Sequence, residues 1–224
     1  MKVGVIIPDR GDRPELLKQC IKRIVHEQTL SISKLALIDY PPWNNQVDIT
    51  ARYRSGYNYL RNSGLDVIAL MENDEWYSPT YLEEMVKAWE ANGRPDIFGT
   101  NYTIYYHLRL RAWFTMHHNT RSSAMSTLIK PDMDFNWCPD HEPYTDIHLW
   151  RNAGLKGVTF NPGKHLCIGM KHGVGLCGGR NHTNFLHRFI NKDEELQWLE
   201  DVVGGDVGFY REMSNKLRMQ NHGE

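Results

Sequence analysis

Three carboxylates crowd one short stretch of this chain. In Leu70-Met71-Glu72-Asn73-Asp74-Glu75-Trp76 they leave an apolar run together, and Ser78 and Pro79 follow as the start of a helix. Carboxylates so placed repel one another, and a divalent, oxygen-seeking cation removes that repulsion; a nucleotide diphosphate can complete its coordination sphere. A solvated acidic turn is the plainer reading of the same residues. A second constellation lies near the C-terminus, where Cys167, His172, Cys177, His182 and His187 fall at every fifth position. All five are zinc-type ligands, yet the close Cys-x2–4-Cys or His-x3–5-His pair of most zinc sites is missing. A third is the stretch from Gly99 to Pro131, which has no Asp or Glu but holds Arg109, Arg111, Arg121, Lys130, His107, His117 and His118. Tyr105, Tyr106, Trp113 and Phe114 interleave with them, so the stripe could grip a polyanion through charge and stacking. A packed strand pair with arginines facing water explains it equally well, and an extended Arg109-Leu110-Arg111 would put both guanidinium groups on one face.

Elements must hold these groups in place. Val3–Ile7 is a continuous β-branched run stopped by Pro8, the pattern of a strand buried on both faces. Pro14 then opens a helix whose Leu16, Leu17, Cys20, Ile21, Ile24 and Val25 share a face. A second strand is expected over Lys34–Asp39, a helix over Asp48–Asn62 closed by Gly64, and a third strand over Leu65–Met71. The acidic run leaves that third strand, and a helix with the stripe Leu82, Met85, Val86 and Trp89 ends at Gly93. Three strand–helix alternations in the first 93 residues predict a Rossmann-like parallel sheet, with ligands at the carboxyl ends of its strands.

Beyond it the texture changes. Phe98–Phe114 reads as antiparallel strands, a helix is expected over Tyr144–Gly154, the stretch Gly163–His187 as a glycine- and histidine-rich loop, and Lys192–Val203 as a charged amphipathic helix. The expectation is one α/β domain over 1–224, divided as 1–95, 96–190 (ending in the C-terminal loop) and 191–224 (helical tail). Its C-terminal half should be mixed or antiparallel and rich in loops.

Composition narrows the function classes. Lys plus Arg number 26 against 27 for Asp plus Glu, so the chain as a whole lacks the field of a dedicated nucleic-acid binder. Its four cysteines show no framework spacing, and no apolar run approaches the roughly 18 residues that span a bilayer. A soluble, cytoplasmic protein without a membrane partner is expected, with Val3–Ile7 as a strand rather than the core of a secretory signal.

Taken together, Val-Ile-Ile-Pro8, Arg13-Pro-Glu-Leu-Leu17, the strand-end Asp39, Arg54-Ser-Gly56 and Glu72-Asn-Asp-Glu-Trp76 with Pro79 resemble the nucleotide-sugar half of inverting GT-A glycosyltransferases, the large second family in particular. The resemblance covers about residues 1–95 well and the remainder weakly, and it implies that 1–95 is the nucleotide-sugar half and 96–190 the acceptor half with the C-terminal loop. It implies a GT-A-like fold and a metal-dependent transfer, with inversion, from a nucleotide sugar, expected to be a UDP-sugar, to an acceptor hydroxyl, with Mn2+ or Mg2+ as cofactor. It places Asp74 on the metal, although Glu72 and Glu75 stand where the family usually has Asp. Asp39 then contacts uracil or ribose, beside Pro8, Asp9 and Arg10, with Arg54, Glu72 and Asn73 also on the nucleotide. In the family a late-helix Glu-Asp-x-x-Leu pattern supplies the general base, so Asp146 of Thr145-Asp-Ile-His-Leu149 takes that role; Asp140 and Glu142 compete, and a helix-start charge is the structural alternative. From the C-terminal loop, His172 or His182 completes the metal site and Lys171 and Arg180 pair with the diphosphate. The acceptor stays open between nucleic acid, such as a modified base in DNA, saccharide and protein. A nucleotidyltransferase, or an inactive module that binds a nucleotide sugar or zinc, is the alternative.

Overall fold

The computed structural model describes residues 1–42, 47–173 and 185–219. They group into two compact units, Met1–Thr103 with His117–Cys167 and Ile104–Met116 with Ile168–Glu224. No helix among the described residues is long and apolar enough to cross a membrane. The fold is mixed α/β, with both parallel and antiparallel strand pairs.

The first unit opens with β1 (Val3–Pro8), α1 (Pro14–Ile21), β2 (Lys34–Ile38), α2 (Ile49–Leu60) and β3 (Val67–Leu70). Next come β4 (Trp76–Tyr77), α3 (Tyr81–Ala91) and β5 (Ile97–Thr100). β1 pairs in parallel with both β2 and β3, as the alternation of strands and helices predicts. Alternation along β1 builds two cores. Val3, Val5 and Ile7 pack with Cys20, Ile24, Leu82, Met85 and Trp89 on the side of α1 and α3. Ile6 packs with Tyr53, Tyr57, Leu60, Ile68 and Leu70 on the side of α2. Gly56 makes that second contact close, because a Cβ there would overlap the Ile6 side chain.

β6 (Tyr102–His107) and β7 (Ala112–His117) follow, then β8 (Thr127–Ile129), α4 (Thr145–Leu149) and β9 (Gly157–Phe160). The first sheet has the order β2-β1-β3-β8-β5-β9, with β8 antiparallel to both β3 and β5 and β9 parallel to β5. Phe98 and its neighbours thus extend the first sheet rather than open a separate antiparallel pair. α4 is shorter than its sequence predicts. The Asn152 amide stops it by donating to the carbonyls of His148 and Leu149, the bonds that a further turn would have used.

In the second unit the strands lie in the order β11-β7-β6-β10, where β10 is Cys167–Lys171 and β11 is Asn191–Lys192. Arg109 and Arg111 sit in the turn between β6 and β7, so the expected extended pair does not form. Arg111 takes a left-handed φ of 44° and its guanidinium bonds Ser214, Asn215 and the Glu194 carbonyl, which commits it to the fold. The helix expected from Lys192 begins only at α5 (Gln197–Val203), and α6 (Val207–Met219) follows. Asp193 causes the delay: its carboxylate accepts from the amides of Trp198 and Leu199, capping the first turn, and also from the Tyr106 hydroxyl.

Candidate functional site

The carboxyl ends of β1, β2 and β3 bring together most of the residues singled out in the N-terminal half. Pro8 closes β1 opposite Ile38, and the next amide, that of Asp9, donates to the Ile38 carbonyl at 2.9 Å. Asp39 is exposed just past β2. Asp9 is buried, and its Oδ1 accepts from the Asn73 amide at 2.6 Å, which ties the end of β1 to the acidic run after β3. That run is held by its own neighbours: the Glu72 amide donates to the Tyr77 hydroxyl at 2.8 Å, and the Cys20 thiol donates to the Glu72 carbonyl at 3.1 Å. Glu72, Asp74 and Glu75 each bring a carboxylate oxygen within 4.8 Å of the others, and Asp74 and Glu75 are buried.

Three crowded carboxylates concentrate negative charge at this edge. The Cys20 thiol registers it: burial first, then Asp74, Glu75 and Glu72, push it well above the ordinary value. Arg13, from the loop between β1 and α1, bonds Asp74 directly. Burial pulls the Arg13 guanidinium down, but Asp74, Asp12 and Glu72 outweigh it and leave the group raised, locked as a cation. Tyr53 of α2 is the uncompensated member. Its side chain is wholly buried, its hydroxyl has no hydrogen-bond partner, and Glu72, Asp74 and Glu75 add to the burial that raises its phenol. All-oxygen donors of this kind suit Mg2+ or Mn2+ better than a soft metal.

Arg52 fixes the frame of this edge. Its guanidinium is fully buried, donates to the carbonyls of Asp9, Ile38 (3.0 Å) and Tyr40 (2.8 Å), and pairs with Asp48 at 2.8 Å. Arg10 shares Asp48 through its other oxygen at 3.2 Å, so Arg10 serves the frame. Arg54 reaches Asp140 at 2.9 Å.

Asp146 lies in the first turn of α4 and bonds Arg121. Burial raises its carboxyl and Arg121 draws it back only in part, so the net shift is upward. A carboxyl raised in this way holds a proton more tightly than an ordinary one. Nearby in sequence, His118 is buried between the hydroxyls of Thr103 (2.9 Å) and Ser123 (3.3 Å), and burial, with Arg121 and His117 adding, lowers it to about 4. It is a neutral structural histidine at physiological pH.

Lys171 and His172 lie at and just past the end of β10 and are both buried, with the Lys171 ammonium 4.9 Å from the centre of the Tyr105 ring. His107, opposite Lys171 in the ladder, is lowered to about 4 by burial and by the cations Arg109 and Lys171. Arg180, His182 and Cys177 lie outside the described residues. Cys167 is buried, and burial drives its thiol far up. Among the described residues, Glu72, Asp74 and Glu75 are the one cluster with metal-ligating geometry.

Sequence reasoning missed Arg13 as the partner of Asp74, Arg121 as the partner of Asp146, and both Arg52 and Tyr53. The four-residue spacing of Asp48 and Arg52 on one helix was the only available signal for the frame. Compared with known proteins, the chain matches no family model and no curated protein.

Proposed function

We propose that this chain is a divalent-cation-dependent glycosyltransferase with a GT-A-like nucleotide half, which moves a sugar from a nucleoside diphosphate donor to an acceptor hydroxyl with inversion. The observation that carries this reading is the group Glu72, Asp74 and Glu75 at the carboxyl end of β3, joined through Asn73 and Asp9 to the end of β1. Open α/β sheets bind ligands at that edge. A divalent cation held by these carboxylates supplies Lewis-acid neutralisation of the charge that develops on the departing diphosphate.

The chain's own residues do the rest. Asp39, exposed beyond β2, is free to meet the base or ribose, while Arg52 and the Asp9–Asn73 bond keep the strand ends from shifting under the nucleotide. Asp146 accepts the proton of the attacking hydroxyl at its carboxylate. Arg121 orients it and holds its charge until the acceptor arrives.

The experiment is calorimetry of UDP with manganese, and with chelator in its place, on the wild type and on Asp74→Asn. Wild-type UDP affinity should depend on manganese and Asp74→Asn should lose most of that dependence while keeping the fold. Equal wild-type affinity with and without manganese overturns the reading.

A further inference from the structure

We propose that Arg13 is a built-in counter-cation of the carboxylate site, which a divalent cation must displace from Asp74 in order to bind. The inference rests on the cation reading of Glu72, Asp74 and Glu75 and adds the residue that sets how much cation the site requires.

Direct contacts place Arg13 there. Its guanidinium bonds Asp74 Oδ2 through Nη1, and Asp12 Oδ1 through Nε at 3.0 Å. Asp74 lies with Glu72 and Glu75, their ligand oxygens all within 4.8 Å of one another, so the guanidinium already takes up part of the charge that a divalent cation would neutralise. The two partners differ in burial: the Asp74 side chain is 7% exposed and that of Arg13 14%, whereas that of Asp12 is 37% exposed. One end of the contact is sunk in the site and the other borders solvent, which gives the arginine a way out. Arg52 makes the contrast plain. Its guanidinium is wholly buried and spans three main-chain carbonyls, while that of Arg13 bonds two carboxylates, one of them its neighbour in the chain.

Charge explains the competition. An arginine does not surrender its proton in a protein; burial pulls this one down, and Asp74, Asp12 and Glu72 outweigh it. Arg13 can therefore make way for a second cation only by moving. A guanidinium and a dication on one carboxylate repel each other with twice the strength of two single charges at the same separation. The dication has the advantage at Asp74, since three carboxylates hold it together and only one of them holds Arg13. Once displaced, Arg13 keeps Asp12 as its partner.

Manganese alone is titrated calorimetrically into the full-length wild type, Arg13→Gln and Lys22→Gln. Lys22→Gln is the charge control, since it removes one cation that pairs at the surface with Glu27 at 3.3 Å. A charge within about 4–6 Å moves a carboxylate's affinity for a proton by about 1–3 pKa units, so Arg13→Gln should bind manganese about 10-fold more tightly than wild type, the lower end of that range. Lys22→Gln should bind as the wild type does. An ion pair that served the fold alone would not tighten manganese binding when broken. Unchanged or weaker affinity in Arg13→Gln, with a wild type that binds, overturns the role of Arg13 and leaves the cation site standing. Binding by Arg13→Gln but not by the wild type supports the proposal, because the guanidinium then holds Asp74 against manganese. Binding by neither overturns both readings. Should Arg13→Gln not fold, phenylglyoxal labelling of wild-type Arg13, read by mass spectrometry, decides: it should rise when manganese that saturates the wild type replaces chelator, and unchanged labelling overturns the displacement.

Discussion

Replacing Arg52 by Met should unfasten the edge that carries the candidate site. The guanidinium is wholly buried, as is its partner Asp48, and it donates to three main-chain carbonyls besides. Met fills much of the same volume but leaves Asp48 to its ion pair with Arg10, at 3.2 Å, and takes the guanidinium donor from the carbonyls of Asp9, Ile38 and Tyr40. Removing one partner of a buried ion pair costs about 3–5 kcal/mol, because the other charge stays desolvated. At a urea slope of about 2.5 kcal/mol per molar, a loss of about 4 kcal/mol lowers the midpoint by about 1.6 M. Arg52→Lys should recover little of it, since an ammonium cannot span carbonyls from two strand ends. Urea titration followed by far-UV circular dichroism reads the midpoint. Because the chain divides into two units, amide exchange at Ile7 and Leu37 reports the unit that Arg52 holds. A midpoint within about 0.4 M of wild type, or about 1 kcal/mol, refutes the account, and so does normal exchange protection at both amides.

Two further expectations concern proton equilibria. Arg121→Gln removes the charge that holds Asp146 down against burial, so the Asp146 carboxyl should rise further and the acid limb of the transfer pH profile should move to higher pH, with activity at pH 5 falling more than at pH 8; an unmoved limb in kcat/KM excludes Asp146 as the titrating base. His118 and His107 both fall to about 4 in the folded protein from an ordinary 6.5, so the unfolded chain takes up their protons first as pH drops. Stability is therefore full above about pH 6.5 and is lost down to about pH 4, each histidine adding about 1.4 kcal/mol per pH unit within that window. Melting curves from pH 7 to 4 should show the fall, and His118→Gln should flatten it; an equally steep fall in that variant means that His118 is not among the groups responsible.

What could be read from the sequence is what short-range patterns encode. The apolar run Val3–Ile7, the helical face Leu16, Cys20 and Ile24 and the stripe Leu82, Met85 and Trp89 are set by periods of two and 3.6, so the three opening strands and helices stand within a few residues of their expected bounds. The acidic run was legible for the same reason: Glu72, Asp74 and Glu75 are neighbours in the chain, and a strand end next to a helix start keeps them neighbours in space. Where the reading faltered, a local side-chain bond or a turn overrode the apolar periodicity. Asp193 delayed α5, Asn152 cut α4 short, and the turn at Leu108–Arg111 broke an alternation that looked extended.

The partnerships that decide the chemistry join residues far apart in the chain. Arg13 meets Asp74 across 61 positions, Arg121 meets Asp146 across 25 and Arg54 meets Asp140 across 86. No periodicity links such residues, because an ion pair depends on where two loops end after the cores on both faces of the first sheet have packed. The same holds for Tyr53. By sequence it is one more aromatic on the buried face of an amphipathic helix; only the approach of α2 to β1, made possible by a glycine over Ile6, leaves its hydroxyl buried and unpaired. Residue types can announce which chemistry a chain is equipped for, while the protonation state and partner of each group depend on burial and distance, which exist only once the tertiary structure has formed.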